Sequence, residues 1–234
     1  MDGKKGVIFV LDVGDSMVPH LAEAKRVITT EMQFLLTQSK THEVGVVLYG
    51  VPDEETDIPL FTREAEDLNE DGSYNGVREF IQIDRTSIAM MRELEGVRAN
   101  PGVRSDPFSA LIVAMDQIYK RTKRKKYDRH VYLLTDARSM AVVAAAAADV
   151  DAANAAEAVV AAAAAGGDDN EVQSDNVRMY ASLVRHVGGS VESAQQALRS
   201  VDARPRSKKP LATVVPLRVG TSLRVQCRMF KKTD

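Results

Sequence analysis

Two kinds of apolar pattern alternate along most of the chain. Residues 6–13, Val44–Tyr49 and His130–Leu134 are short runs, mostly aliphatic, with no polar alternation. Such runs predict strands buried on both faces, as in a parallel sheet. Between them, apolar residues recur every three or four positions. Leu21, Ala24, Val27, Ile28, Met32, Leu35 and Leu36 predict a helix from about Val18 to Thr37. Ile88, Met91 and Leu94 predict a shorter one over 86–95, closed by Gly96. Ser105-Asp106-Pro107 is a helix start, a capping oxygen followed by proline in the first turn. The helix it opens carries Leu111, Ile112, Met115, Ile118 and Tyr119 as apolar positions. Val177, Tyr180, Leu183 and Val184 mark an amphipathic helix over Asn176–His186, and Val191–Val201 reads as another short helix. Glu79–Ile83 fits a short edge strand. This alternation predicts an α/β fold, Rossmann-like, with a doubly wound and mostly parallel sheet.

Three stretches break the pattern. Residues 51–78 are acidic and interrupted by Pro52, Pro59, Gly72 and Gly76, a loop of a length usually tied to function. Residues 141–165 are mostly alanine. Alanine is the best helix former, so one or two helices are expected there; a strand at Ala158–Ala163 is the alternative, disfavoured by alanine's poor strand propensity. Beyond the basic, proline-flanked segment Arg204–Pro210, Leu211–Val219 and Ser222–Phe230 alternate about Gly220-Thr221 and predict two antiparallel strands. Two strands are marginal alone, so a second, β-rich domain is expected to begin here, cut short in a fragment of a longer protein. The expected division is an α/β domain over 1–203, a linker over 204–210 and the first strands of the next domain over 211–234.

Composition narrows the classes. A formal net charge of −2 shows no global bias toward nucleic acid, though charge can still be segregated by face. Cys227 is the single cysteine, which excludes an internal disulfide and suits a reducing compartment. No stretch is long and apolar enough to span a membrane, and the opening Met-Asp-Gly-Lys-Lys runs straight into a strand rather than a secretory leader. The expectation is a soluble, intracellular protein.

The candidate chemistry sits at strand ends. Asp12, Ser16, Ser105 and Asp136 fall at carboxyl ends of strands or in the loop before a helix, where open α/β sheets place their crevice. Together they offer the hard oxygen ligands that Mg²⁺ takes. The order is similar to the metal-ion-dependent adhesion site of von Willebrand factor A domains. Gly14 stands where that Asp-x-Ser-x-Ser turn has its first serine, and Ser105 where it has threonine. The same residues also suit a plainer role, satisfying N–H groups of the turn and capping the first helix. A phosphoryl-transfer enzyme with a nucleophilic aspartate would need a second acid where Gly14 stands, and a lysine beside the site. No Ser/His/Asp elbow, phosphate-cradling loop or His/Cys metal spacing is present. Lys123-Arg124-Lys125-Lys126, with Arg206, Lys208 and Lys209 further on, could serve nuclear import or phosphate contact; the plainer role of the first run is a solvated helix end.

Four stretches carry a more specific resemblance: Val10–Met17, Ala110–Asp116 (Ala-Leu-Ile-Val-Ala-Met-Asp), Tyr127–Asp136 and Pro216–Leu223. In order and spacing the chain resembles the amino-terminal von Willebrand A-type region of the large subunit in the Ku family, leading into that subunit's β-barrel. The alanine-rich stretch and the long central loop depart from the pattern. The resemblance implies a non-enzymatic scaffold with no cofactor, whose adhesion-type site is degenerate and holds no metal. It implies the smaller Ku subunit as partner, held mostly through regions beyond residue 234. It implies double-stranded DNA ends as the ligand of the full heterodimer, and short peptide motifs of repair or telomere factors as ligands of this region. The implied processes are non-homologous end joining and telomere maintenance in the nucleus. The other reading of the residues is a metal-dependent adhesion-type binding module using Asp12, Ser16, Ser105 and Asp136.

Overall fold

In a computed structural model of the protein, residues 4–52, 55, 57, 74–103, 106–123, 125–138, 157–162, 171–204, 213–219 and 223–229 are described. The chain divides into two compact units, Met1–Arg204 and Pro205–Asp234. In the first, β1 (Lys4–Asp12) leads through a 3-10 turn (Asp15–Met17) into α1 (Leu21–Gln38), then β2 (Glu43–Tyr49), β3 (Val77–Arg85), α2 (Ile88–Glu95), α3 (Pro107–Thr122), β4 (Tyr127–Thr135), β5 (Glu157–Ala162), α4 (Glu171–His186), β6 (Ser190–Glu192) and α5 (Ala194–Ala203). The sheet order is β3-β2-β1-β4-β5-β6. All neighbours are parallel except β2 and β3. This is the mixed α/β, mostly parallel architecture that the apolar runs predict.

β1 lies at the centre, and its alternate side chains feed two cores. Val7, Phe9, Leu11 and Val13 pack with α1, α2 and α5; Ile8 and Val10 pack with α3 and α4. A strand covered on both faces has no solvent side, which is why its sequence shows no alternation. At Gly45 the edge strand comes close: a Cβ there would sit 3.2 Å from Ile83 Cα, beside a register shift in the β2–β3 pairing.

Several boundaries differ from the sequence reading. The first helix starts at Leu21 rather than Val18, because residues 15–17 form the 3-10 turn. The edge strand runs over 77–85, longer than Glu79–Ile83. Within the alanine-rich stretch, residues 157–162 form a strand and not a helix. Propensity differences are at most about 1 kcal/mol per residue, whereas the slot between β4 and β6 pairs the backbone on both edges. The helical expectation over 141–156 lies outside the described residues, as does most of the 51–78 loop. Val191 belongs to β6, and the helix after it begins only at Ala194 behind a capping box: the Ser193 hydroxyl accepts the Gln196 N–H at 3.2 Å and the Gln196 side chain accepts the Ser193 N–H at 2.9 Å.

On α3 the apolar residues divide. Leu111 and Ile118 enter the core, but Ile112, Met115 and Tyr119 are exposed, because Ala110, Val113, Ala114 and Gln117 take the sheet-facing positions beside them. In the second unit, β7 (Thr213–Val219) and β8 (Leu223–Met229) pair as an antiparallel hairpin.

Candidate functional site

β1 and β4 end side by side, and the residues at their carboxyl ends form one buried polar cluster. Asp12 closes β1 and is fully buried. Its Oδ1 accepts the Gly14 N–H at 2.9 Å, and its Oδ2 accepts the Thr135 hydroxyl at 3.1 Å. Asp136 follows β4 and is 1% exposed. Its Oδ1 accepts the Ser16 hydroxyl at 3.1 Å and the Arg138 N–H at 3.0 Å. Ser16 reaches it from the 3-10 turn. Three of the four predicted ligands therefore meet at one rim; Ser105 lies outside the described residues. Its neighbour Asp106 is the helix cap, its carboxylate accepting the N–H groups of Phe108 (3.0 Å) and Ser109 (3.2 Å).

Groups that sequence reasoning passed over complete the cluster. The Thr135 hydroxyl accepts the Ala137 N–H at 3.0 Å while donating to Asp12, and so ties both strand ends together. α4 closes over the rim: Gln173 Nε2 donates to the Asp136 carbonyl and Asn176 Nδ2 to the Ala137 carbonyl, each at 2.8 Å. Tyr49 and Tyr180 are buried. Burial, and then the charge of Asp12, push the Tyr49 hydroxyl well up from its ordinary range. Burial, and then Asp12, Asp106 and Asp136, do the same to Tyr180. Both stay neutral. The one sequence signal for Thr135 was its place directly before Asp136. Tyr180 fell on an apolar helix face, where only its ring was read.

A divalent cation needs several oxygen lone pairs converging on one point. Here both Asp12 oxygens and Asp136 Oδ1 already accept hydrogen bonds from the chain itself, and position 14 offers no hydroxyl. Asp136 Oδ2 faces the Arg138 guanidinium, with Nε 4.0 Å away. Most of this donor set is spent within the turn, while Asp136 Oδ2 and the buried hydroxyls of Tyr49 and Tyr180 make no hydrogen bond among the described residues.

The basic run lies at the opposite end of the sheet. Arg121, in the last turn of α3, folds back onto buried Glu43, with Nε and Nη2 each 3.1 Å from its carboxylate. Lys4 Nζ (2.8 Å) and the Tyr127 hydroxyl (3.1 Å) donate to the same group. Burial alone would raise the Glu43 pKa, but the hydrogen bonds from Arg121, Lys4 and Tyr127 hold it at about 2. Lys123, Lys125 and Lys126 are exposed. Arg124, Arg206, Lys208 and Lys209 lie outside the described residues. Arg204, read from sequence as the start of the linker, is a fixed part of the first unit, with Nη1 bonded to both Glu31 oxygens at 2.7 and 2.9 Å.

Residues 6–184 match the family model described as the Ku70/Ku80 N-terminal alpha/beta domain. The chain belongs to this family. Its curated relatives include X-ray repair cross-complementing protein 5 of Dictyostelium discoideum, 25% identical over 135 residues, which are 58% of this chain and 17% of that protein. ATP-dependent DNA helicase II subunit 2 of Coccidioides immitis is 29% identical over 153 residues, covering 59% of this chain and 19% of that protein. ATP-dependent DNA helicase 2 subunit KU80 of Oryza sativa subsp. japonica is 26% identical over 138 residues, covering 58% and 18%. The match to these Ku80 relatives thus spans less than a fifth of their length. The crystal structure of an aerotolerance-related membrane protein from Bacteroides fragilis superposes with a TM-score of 0.50 at 14% identity, covering 85% of this chain and 96% of that one. It carries the fold alone. Among the described residues, no helix is long and apolar enough to cross a membrane.

Proposed function

We propose that this chain is the amino-terminal scaffold region of a Ku-type heterodimer that binds and repairs DNA ends in the nucleus. The observation that carries the reading is the family match over residues 6–184, on an α/β fold in which both Asp12 oxygens and Asp136 Oδ1 accept hydrogen bonds from the chain itself. On this reading the region is not itself an enzyme. The smaller Ku subunit is its partner, and the full heterodimer encircles double-stranded ends in non-homologous end joining and telomere maintenance. The α/β domain docks short peptide motifs of repair or telomere factors, and the hairpin after the linker opens a β-barrel. The outer face of α3, with Ile112, Met115 and Tyr119 38–53% exposed at helical spacing, supports peptide docking. The chain of residues 1–234 is expected to bind linear duplex no better than a covalently closed circle. Nanomolar binding that depends on free ends would overturn the assignment of encirclement to the rest of the heterodimer.

A second reading, a metal-dependent adhesion-type module, is favoured by the meeting of Asp12, Ser16 and Asp136 at one rim. Thermal unfolding separates the two. A ligand at a hundredfold excess over its Kd stabilises the folded state by about 2.7 kcal/mol. The scaffold reading expects the same Tm in millimolar Mg²⁺, Mn²⁺ and EDTA. A rise with metal that EDTA and Asp12→Ala both abolish would establish the module instead.

A further inference from the structure

The formal charge of −2 conceals a strong segregation. Around β1, β2 and β4, the described segments at the amino end of the parallel strands deliver cations. β1 opens with Lys4 and Lys5, and Lys40 lies in the turn before β2. β3 runs the other way and so ends at this face, on Arg85. Lys123, Lys125 and Lys126 join α3 to β4. Strand register draws these into one row: Lys4 pairs with Tyr127, and Glu43 lies between Gly6 and Arg85.

Two of the described carboxylates of this face, Glu43 and Asp84, are paired with its own cations. Glu43 takes Lys4 and Arg121, Asp84 takes Arg121 at 3.3 Å, and Asp128 lies 3.0 Å from His130 Nε2. Glu43 is buried, so its charge is spent inside the network. Lys40, Arg85, Lys123, Lys125 and Lys126 are exposed. The backbone also holds the row in place. Lys123, in a left-handed conformation (φ 38°), caps α3 through its N–H to the Tyr119 carbonyl at 2.6 Å. Arg129 clamps that turn by donating to the Thr122 hydroxyl at 2.7 Å and to the Lys123 carbonyl at 2.8 Å.

We infer that this amino-end face is a phosphate-backbone contact surface for duplex nucleic acid, used without regard to sequence or to the presence of an end. Spaced, solvated lysines held on a rigid sheet edge match a repeating phosphate polyanion. The inference deepens the Ku-type reading by giving this region its own electrostatic footprint on DNA flanking the encircled end. It needs neither peptide docking nor the barrel, so it fails separately from that reading.

Binding of the 1–234 chain to a labelled duplex, measured between about 50 and 200 mM salt, tests it. Wild type is expected to bind in the micromolar range, linear and closed-circular duplex alike, with affinity falling steeply as salt rises. Lys40→Gln/Lys125→Gln/Lys126→Gln should flatten the slope of log affinity against log salt by about 2–3. Arg92→Gln/Arg98→Gln, exposed changes on α2 and in the loop after it, should leave the slope unaltered. Circular dichroism and Tm confirm that both variants are folded. No binding by wild type at the lowest salt, or equal slopes in the triple variant and wild type, would overturn the proposal. So would binding to phosphatidylserine vesicles that the triple variant loses while its duplex binding persists.

Discussion

Phe9→Ala is expected to destabilise the α/β unit by about 3–5 kcal/mol, the range for removing a buried aromatic ring. Phe9 is fully buried in the central strand and stacks on Tyr132 with ring centroids 5.2 Å apart. It also lines a cavity of about 40 Å³ shared with Val27, Tyr132, Leu134, Ala197 and Val201. Truncation would merge the lost ring volume with that space, and α1 and α5 cannot collapse freely. The Glu31–Arg204 ion pair, with the guanidinium 5.6 Å over the Phe34 ring, fixes the end of α5 to α1. For a unit of this size the loss amounts to a fall in Tm of roughly 10 °C. Differential scanning calorimetry of the two proteins checks it. A change below about 1 kcal/mol would mean that α5 relaxes inward and is not the rigid cover described above.

Glu43→Gln is expected to cost about 2–3 kcal/mol at neutral pH, and the cost should vanish in acid. The carboxyl is held at about 2 in the folded protein against an ordinary 4.5. A depressed carboxylate stabilises the fold fully above its unfolded value, and that contribution disappears as pH falls from about 4.5 through 2. The upper bound from the shift is about 3 kcal/mol. Lys4 and Arg121 are about a third and two fifths exposed, so water screens part of it. Urea denaturation of both proteins at pH 7, 4 and 3 gives the test. The gap between them should narrow to about half or less by pH 3. A gap that stays constant with pH would assign the loss to side-chain shape rather than charge.

The two networks illustrate what pattern reading can reach. β1, β2 and β4 were legible because burial on both faces leaves an unbroken apolar run. The start of α3 was legible because Asp106 and Pro107 act on their own local backbone. The Asp12 rim was partly legible: Asp12, Ser16 and Asp136 were each placed at a strand end or turn, and they do meet. Thr135, Tyr49 and Tyr180 were not, since what a buried side chain meets across the fold leaves no mark in local spacing. β5 was misread as helix for the same reason. Its pairing partners are distant in sequence, and propensity is the weaker of the two influences.

The sequence by itself determined the α/β class, the segments that form the central strands, the family resemblance and the loss of a hydroxyl at position 14. Each of these follows from periodicity or from residue identity at one place. Tertiary structure alone decided how the polar groups pair. It set Thr135 and Gly14 against Asp12, and Ser16 and Arg138 against Asp136. It drew Arg121 out of the basic run and onto Glu43, and gathered Lys40 and Arg85 beside the lysines that remain. Charge interactions act through space between elements brought together by the sheet, so their partners appear only once strand order and register are known.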